Sequence, residues 1–228
     1  MKKSAKLVLM LVILFVGLAK GQSDTDTRKL RDFNTIKVSN SIKAELVKGD
    51  ENQVTIKVSG IDVGKVETAV VGETLEIKLA KGNYRNPSVT VVVTYVELLG
   101  IEANTSARVV SKNPIVAREA YLSATNSSYL EAEMQSDILH ITAATNARIF
   151  VSGKAEELNI KAFTNAEVDG KKLTGDQVNV QANTAANVSF DAINSLEGSV
   201  ATAAKVFYGG NPKQLDVKSS TGGSIQKR

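Results

Sequence analysis

The chain has 228 residues, with 28 basic and 24 acidic side chains, one histidine, no cysteine and no tryptophan, and it is 43% hydrophobic but only 5% aromatic. A disulfide framework and a cysteine metal site are therefore excluded, and the length allows one large or two small domains. The excess of base is confined to the start: Lys2, Lys3, Lys6 and Lys20 account for four of the 28 bases, and without them 24 bases face 24 acids, so the charge gives no reason to expect nucleic acid as a partner.

Residues 1–21 read as a secretory signal, with a lysine-rich start, a short apolar run from Leu7 to Ala19 and small residues at Ala19 and Gly21. Cleavage is expected near Gly21/Gln22. The run is too short to span a bilayer comfortably. The expectation is an exported protein, periplasmic, outer-membrane-associated or secreted. Its mature chain would have no membrane span, no lipidated cysteine and no sorting domain after the last repeat. Residues 22–32 are polar and read as a mobile linker.

Residues 33–96 are β-like. Candidate strands are 33–38, 42–47, 53–59, 66–71, 74–79 and 88–96, with turns at Lys48-Gly49-Asp50 and Val71-Gly72-Glu73. The run Val89-Thr90-Val91-Val92-Val93 is expected to be buried on both faces. This segment reads as an N-terminal β-rich cap, continuous with the repeats C-terminal to it, because a solenoid must cover its open end.

From residue 97 to 228 a motif recurs. Its reference position falls at Thr105, Asn126, Thr145, Thr164, Thr184, Thr202 and Thr221, at intervals of 21, 19, 19, 20, 18 and 19 residues. A fixed period in that range is the signature of a solenoid. Around each reference the alternate positions keep their character. Ile101, Leu122, Ile141, Ile160 and Val180 lie four residues before it, Ala103, Ala124, Ala143, Ala162 and Ala182 two before, and Ala107, Ser128, Ala147, Ala166 and Ala186 two after. That is the period of two that belongs to strands. Large side chains at the ends and small ones in the middle suit two sheets converging at a bend. The predicted fold is all-β: a right-handed parallel β-helix, a two-sheet solenoid of seven coils and about 19 residues per coil. An antiparallel meander of ten-residue strands is the rival reading. In the helix, like residues stack about 4.8 Å apart, and the Thr/Asn column is expected to form a buried hydrogen-bonded ladder.

Several residues invite a chemical role. Arg108, Tyr129 and Arg148 fall in one outward column on consecutive coils, and such a strip would suit a glycan or an acidic chain by ring stacking and forked hydrogen bonds. The column breaks at Glu167. Glu197 and Asp216 fall together in another outward column and would be able to share a proton or hold Ca²⁺. The plain reading of them is solvated surface acids. His140 is the only histidine and points outward between Leu139 and Ile141. There is no nucleophile elbow and no phosphate loop. No catalytic residue, cofactor or metal is assigned.

The segments Phe33-Asn34-Thr35-Ile36-Lys37-Val38, Ala44-Glu45-Leu46-Val47-Lys48-Gly49-Asp50 and Leu75-Glu76-Ile77-Lys78, succeeded by the repeat train, resemble the auto-transporter adhesin, head GIN domain family. The likeness covers nearly all of the chain after its signal. It implies a shape similar to pectate-lyase-like β-helices without their catalytic residues, and an adhesive role is proposed for the family. One departure stands out. The family often carries Gly-Ser-Gly at the bend, whereas this chain has triplets such as Thr145-Asn146-Ala147. A bend at positive φ tolerates such residues poorly, so the strand is expected to curve there, or the corner to lie elsewhere. The function expected is an exported, non-enzymatic binding or adhesion module whose partner is a glycan or a cell-surface protein. The alternatives are a polysaccharide-acting β-helix enzyme and a structural subunit that forms a homo-oligomer through its exposed end.

Overall fold

The computed structural model describes residues 24–228; the expected signal over 1–21 and its cleavage position lie outside them. The described chain is a parallel β-solenoid of about 7 turns with spacing near 19 residues. Its strands are β1 (Asp24–Lys29), β2 (Thr35–Val38), β3 (Lys43–Lys48), β4 (Gln53–Ser59), β5 (Val66–Val71), β6 (Thr74–Leu79), β7 (Ser88–Tyr95), β8 (Gly100–Ala103), β9 (Arg108–Ser111), β10 (Ile115–Thr125), β11 (Tyr129–Ala144), β12 (Arg148–Phe163), β13 (Glu167–Asn183), β14 (Asn187–Val200), β15 (Lys205–Gly210), β16 (Gln214–Ser219) and β17 (Ser224–Lys227). Each coil pairs in parallel with the next, so that Ile141 lies opposite Ile160 and Ile160 opposite Val180. That register excludes the antiparallel meander for the repeats.

The coils follow spatial order, not chain order, at the N-terminal end. β2 lies between β8 and β6, parallel to both, and β3 lies between β9 and β7, parallel to both. The coil built from β6 and β7 therefore sits outside the one built from β2 and β3, although it comes later in sequence. Beyond it the sheet turns antiparallel: β4 pairs with β7, β1 with β4 and β5 with β6. Residues 33–96 thus contribute two coils as well as a margin of antiparallel strands. Val89, Val91 and Val93 are buried while Val92 is half-buried, because the pleat points alternate side chains away from the core.

The linker expected over residues 22–32 is corrected in part. Asp24–Lys29 is a strand, and its Arg28 reaches inward to donate to the Val66 carbonyl at 2.7 Å and the Thr68 hydroxyl at 2.9 Å. The polar composition concealed a strand whose anchor is a guanidinium.

The bend of each repeat is a tight turn with two consecutive residues at positive φ: Thr105 (48°) and Ser106 (60°), Thr145 (55°) and Asn146 (60°), Thr164 (54°) and Asn165 (58°), Thr184 (51°) and Ala185 (58°). The amide of the following small residue closes the turn, as in Ala107 N to Asn104 O at 3.1 Å and Ala204 N to Ala201 O at 3.1 Å. This is type I′ geometry. It corrects the expectation that glycine-poor corners would curve gently or lie elsewhere. Left-handed backbone costs an L-residue about 1–2 kcal/mol, and ladder hydrogen bonds between turns offset it at about 1 kcal/mol each: Asn146 N to Thr164 O (3.0 Å), Asn165 N to Thr184 O (2.9 Å) and Ala185 N to Thr202 O (2.9 Å). The same turn recurs at Asn40 (62°) and Ser41 (59°), whose Ser41 N donates to Thr105 O. The repeat reading missed this corner because the chain makes a detour of some sixty residues before the next one.

The buried Thr/Asn ladder is also corrected. Thr105, Asn126, Thr145, Thr164, Thr184, Thr202 and Thr221 do succeed one another from coil to coil, but all are exposed. At a two-residue turn the backbone folds outward, so the inward positions are the flanking small residues. Ala103 and Ala107, Ala143 and Ala147, and Ala162 and Ala166 are buried on either side. The buried hydroxyl sits there, on Ser128, whose Oγ donates to the Ala103 carbonyl at 2.8 Å.

The second bend of each coil is a different device. Strands β11, β12, β13 and β14 each run through it as one continuous strand, with register shifts between Phe150 and Ser152, between Asp169 and Thr174 and between Gly175 and Gln177. Coil length varies here, which is why the intervals range about 19. At the C-terminal end Leu215 is 53% exposed, although its register partner Leu196 is fully buried.

Candidate functional site

The outer face beyond the I′ corners carries the strip expected from sequence. Arg108 lies opposite Tyr129 and Tyr129 opposite Arg148 on three successive coils. The stacking is physical as well as registral: the Arg108 guanidinium sits 3.7 Å from the Tyr129 ring centre, a cation–π contact. The column then meets Glu167, and Arg148 Nε lies 3.5 Å from that carboxylate. The break in the strip is therefore an ion pair.

Two further members were not read from the sequence. Phe150 stacks on Tyr129, with ring centres 5.2 Å apart and an interplanar angle of 29°. Glu131 accepts from the Tyr129 hydroxyl at 2.7 Å and lies 3.8 Å from Arg108. Both belong to the next outward column, two residues along the same strands, and they reach the strip diagonally. Burial of the phenol, reinforced by the neighbouring Glu131 carboxylate, raises the Tyr129 pKa above its ordinary value, so the hydroxyl stays a neutral donor. A hollow of about 430 Å³ adjoins Phe150, rimmed by Glu133, Asp169, Lys171 and Lys172. Two offset rings beside a rim of carboxylates and ammonium groups can take a flat, hydroxyl-rich ligand: rings against its apolar face, charged groups on its hydroxyls.

Glu197 and Asp216 are direct register partners on β14 and β16 and both are exposed. Their column continues through Asn179, Asn159 and His140. His140 is partly exposed, with Nε2 3.5 Å from Glu119. No group of three or more histidine, cysteine, aspartate or glutamate side chains converges among the described residues. One end of this column is closed by packing: the Tyr121 ring lies over Gly100, where a Cβ would stand 2.3 Å from Tyr121 Cε1. No helix among the described residues is long and apolar enough to cross a membrane.

In fold the chain is similar to crystal structures of two proteins each described as a "putative adhesin". One is from Bacteroides fragilis NCTC 9343 (TM-score 0.82, 15% identity, 91% of this chain and 97% of that one) and the other from Parabacteroides merdae ATCC 43184 (TM-score 0.72, 16% identity, 92% and 97%). It is also similar to that of a "putative lipid binding protein" from Parabacteroides distasonis ATCC 8503 (TM-score 0.69, 17% identity, 92% and 98%). Likeness at such identities shows the fold alone. No curated protein matches the sequence. Residues 32–212 match the family described as "Putative auto-transporter adhesin, head GIN domain", and the chain belongs to it.

Proposed function

We propose that this head GIN domain protein is an exported, non-enzymatic adhesion module that holds a glycan on the strip formed by Arg108, Tyr129, Phe150 and Arg148. The observation that carries the reading is the stacked pair Tyr129–Phe150, half-exposed on a flat sheet face and flanked by guanidinium groups. A core position would bury such rings, and an unselected surface would scatter them. Rings held on adjacent coils of a rigid solenoid lose little freedom on binding, which favours a ligand that lies along the face. Repetition of the module, or of the sugar, would raise avidity without new contacts. Export rests on the reading of residues 1–21 as a signal and agrees with the family.

The experiment is a glycan array on the purified exported protein, then titration of the best ligand against Tyr129→Ala and Phe150→Ala. Loss of about tenfold or more in affinity in either variant, with the melting temperature kept within a few degrees, supports the strip. Unchanged binding in both, or no saccharide bound at all, overturns it.

A further inference from the structure

A groove of about 1160 Å³ runs along the second bend, away from the aromatic strip. It lies along the solenoid axis because three columns of side chains shape it. The floor is Ala117, Ser136, Ala155 and Gly175, register partners on four successive coils. One wall is Val116, Gln135, Lys154 and Thr174, also in register. The other is Arg118, Asp137, Glu156 and Asp176, each one residue beyond a floor position. Small floor residues between longer walls make the hollow.

Two observations describe what would fill it. Five acids and two bases line the groove. Asp137, Glu156 and Asp176 face one another across consecutive coils about 4.8 Å apart, an arrangement of like charges that weakens a sheet. None of them joins an ion pair among the described residues, and Asp176 is met only by the Asn194 amide at 2.6 Å. The ends of the groove are apolar: Val116 is 70% exposed and Ile193 50%.

We propose that this groove docks an extended, basic segment of a partner protein that also carries apolar side chains. Its cations would meet the acidic wall and its apolar groups Val116 and Ile193. The coil spacing selects the conformation. A polyproline-type chain repeats every three residues, about 9.3 Å, close to two coils. A base at every third position therefore meets Asp137 and Asp176 in turn. A β-strand repeats near 6.7 Å and falls out of step. The site is independent of the aromatic strip and of the glycan reading.

The test is fluorescence anisotropy on the purified exported protein at low salt, with a labelled Lys-Pro-Leu repeat peptide as probe. Binding is expected, weakening about tenfold or more in the Asp137→Lys/Glu156→Lys variant and several-fold in the isosteric Asp137→Asn/Glu156→Gln variant, which keeps the fold. Tyr129→Ala leaves it unchanged. No binding to the native protein overturns the proposal. So does equal binding to the charge-reversed variant, equal binding of a Glu-Pro-Leu repeat, or polylysine binding as tightly as the probe, since the last would reduce the groove to diffuse charge.

Discussion

Gly153→Ala probes how closely the coils are stacked. Gly153 pairs with Met134 on the preceding coil and has φ of 114°. A Cβ there would stand 1.9 Å from the Met134 carbonyl oxygen and 2.9 Å from its carbon. Backbone cannot swing aside like a side-chain tip, so the strands must part locally. Positive φ costs an L-residue about 1–2 kcal/mol, and overpacking adds about 1–3 kcal/mol. The expected loss is about 3 kcal/mol or more, equivalent to about 6–12 °C in melting temperature for a domain of this size. Gly72→Ala is the matched control: its φ is 61°, and an added Cβ would meet nothing within 4 Å. It bears only the conformational cost, about 1–2 kcal/mol. Circular dichroism melts of the two variants and the native protein decide the matter. If Gly153→Ala melts no lower than Gly72→Ala, adjacent coils do not approach as described and the packing argument fails.

The same geometry makes three other outcomes testable. Thr164→Asn should raise the melting temperature by a degree or more, because asparagine tolerates φ of 54° better than a β-branched residue does; a fall of comparable size would mean that the threonine side chain makes a contact of its own. Gly100→Ala should expel the Tyr121 ring from its seat, read as increased tyrosine accessibility and a loss of about 1–3 kcal/mol in a urea melt; no change in either would contradict the close approach. Asp169 is partly buried, which alone would raise its pKa, but hydrogen bonds and charge from Lys171 and a hydrogen bond from Ser189 outweigh this and hold it below its usual value. A depressed folded pKa adds stability above the unfolded value near 4 and loses it as pH falls through the folded one. Asp169→Asn should therefore lower stability above about pH 4 and converge with the native protein as the pH falls below it, which flattens the acid limb. An unaltered acid limb would refute the assignment.

The solenoid was legible because its signal is periodic. Ile141, Ile160 and Val180 declare their stacking through spacing alone, and the alternation around them fixes which face is buried. The corner was not legible in the same way. Threonine and asparagine in a column fit a buried polar ladder as well as an exposed turn, and what separates the two is positive φ, a backbone property that Thr145 and Thr164 do not favour by composition. The coil at Asn40–Ser41 was hidden for another reason: its neighbours in space, β6 and β8, are remote in sequence, so no interval marks it. The strip Arg108, Tyr129, Arg148 came out of the column rule. Phe150 and Glu131 did not, because diagonal contacts depend on side-chain reach, and that is not encoded in register. The acidic wall of the groove does follow the count, since Asp137, Glu156 and Asp176 each lie eight residues before Thr145, Thr164 and Thr184, but a column of acids reads as an ordinary solvated face until the small residues beside it are seen to leave a hollow.

The central claim is that residues about nineteen apart are immediate neighbours in parallel register, and cross-linking tests it most directly in a chain that has no cysteine of its own. Lys161 and Gln181 are exposed register partners on β12 and β13; Lys161→Cys with Gln181→Cys places two thiols on one face at a separation a disulfide can bridge. Lys161→Cys with Asn179→Cys shifts the pair by two residues and puts the Cα atoms beyond about 7 Å, outside that reach. On mild oxidation the first variant should form an intramolecular disulfide readily and the second should not; the reverse, or equal yields, would contradict the stacked solenoid.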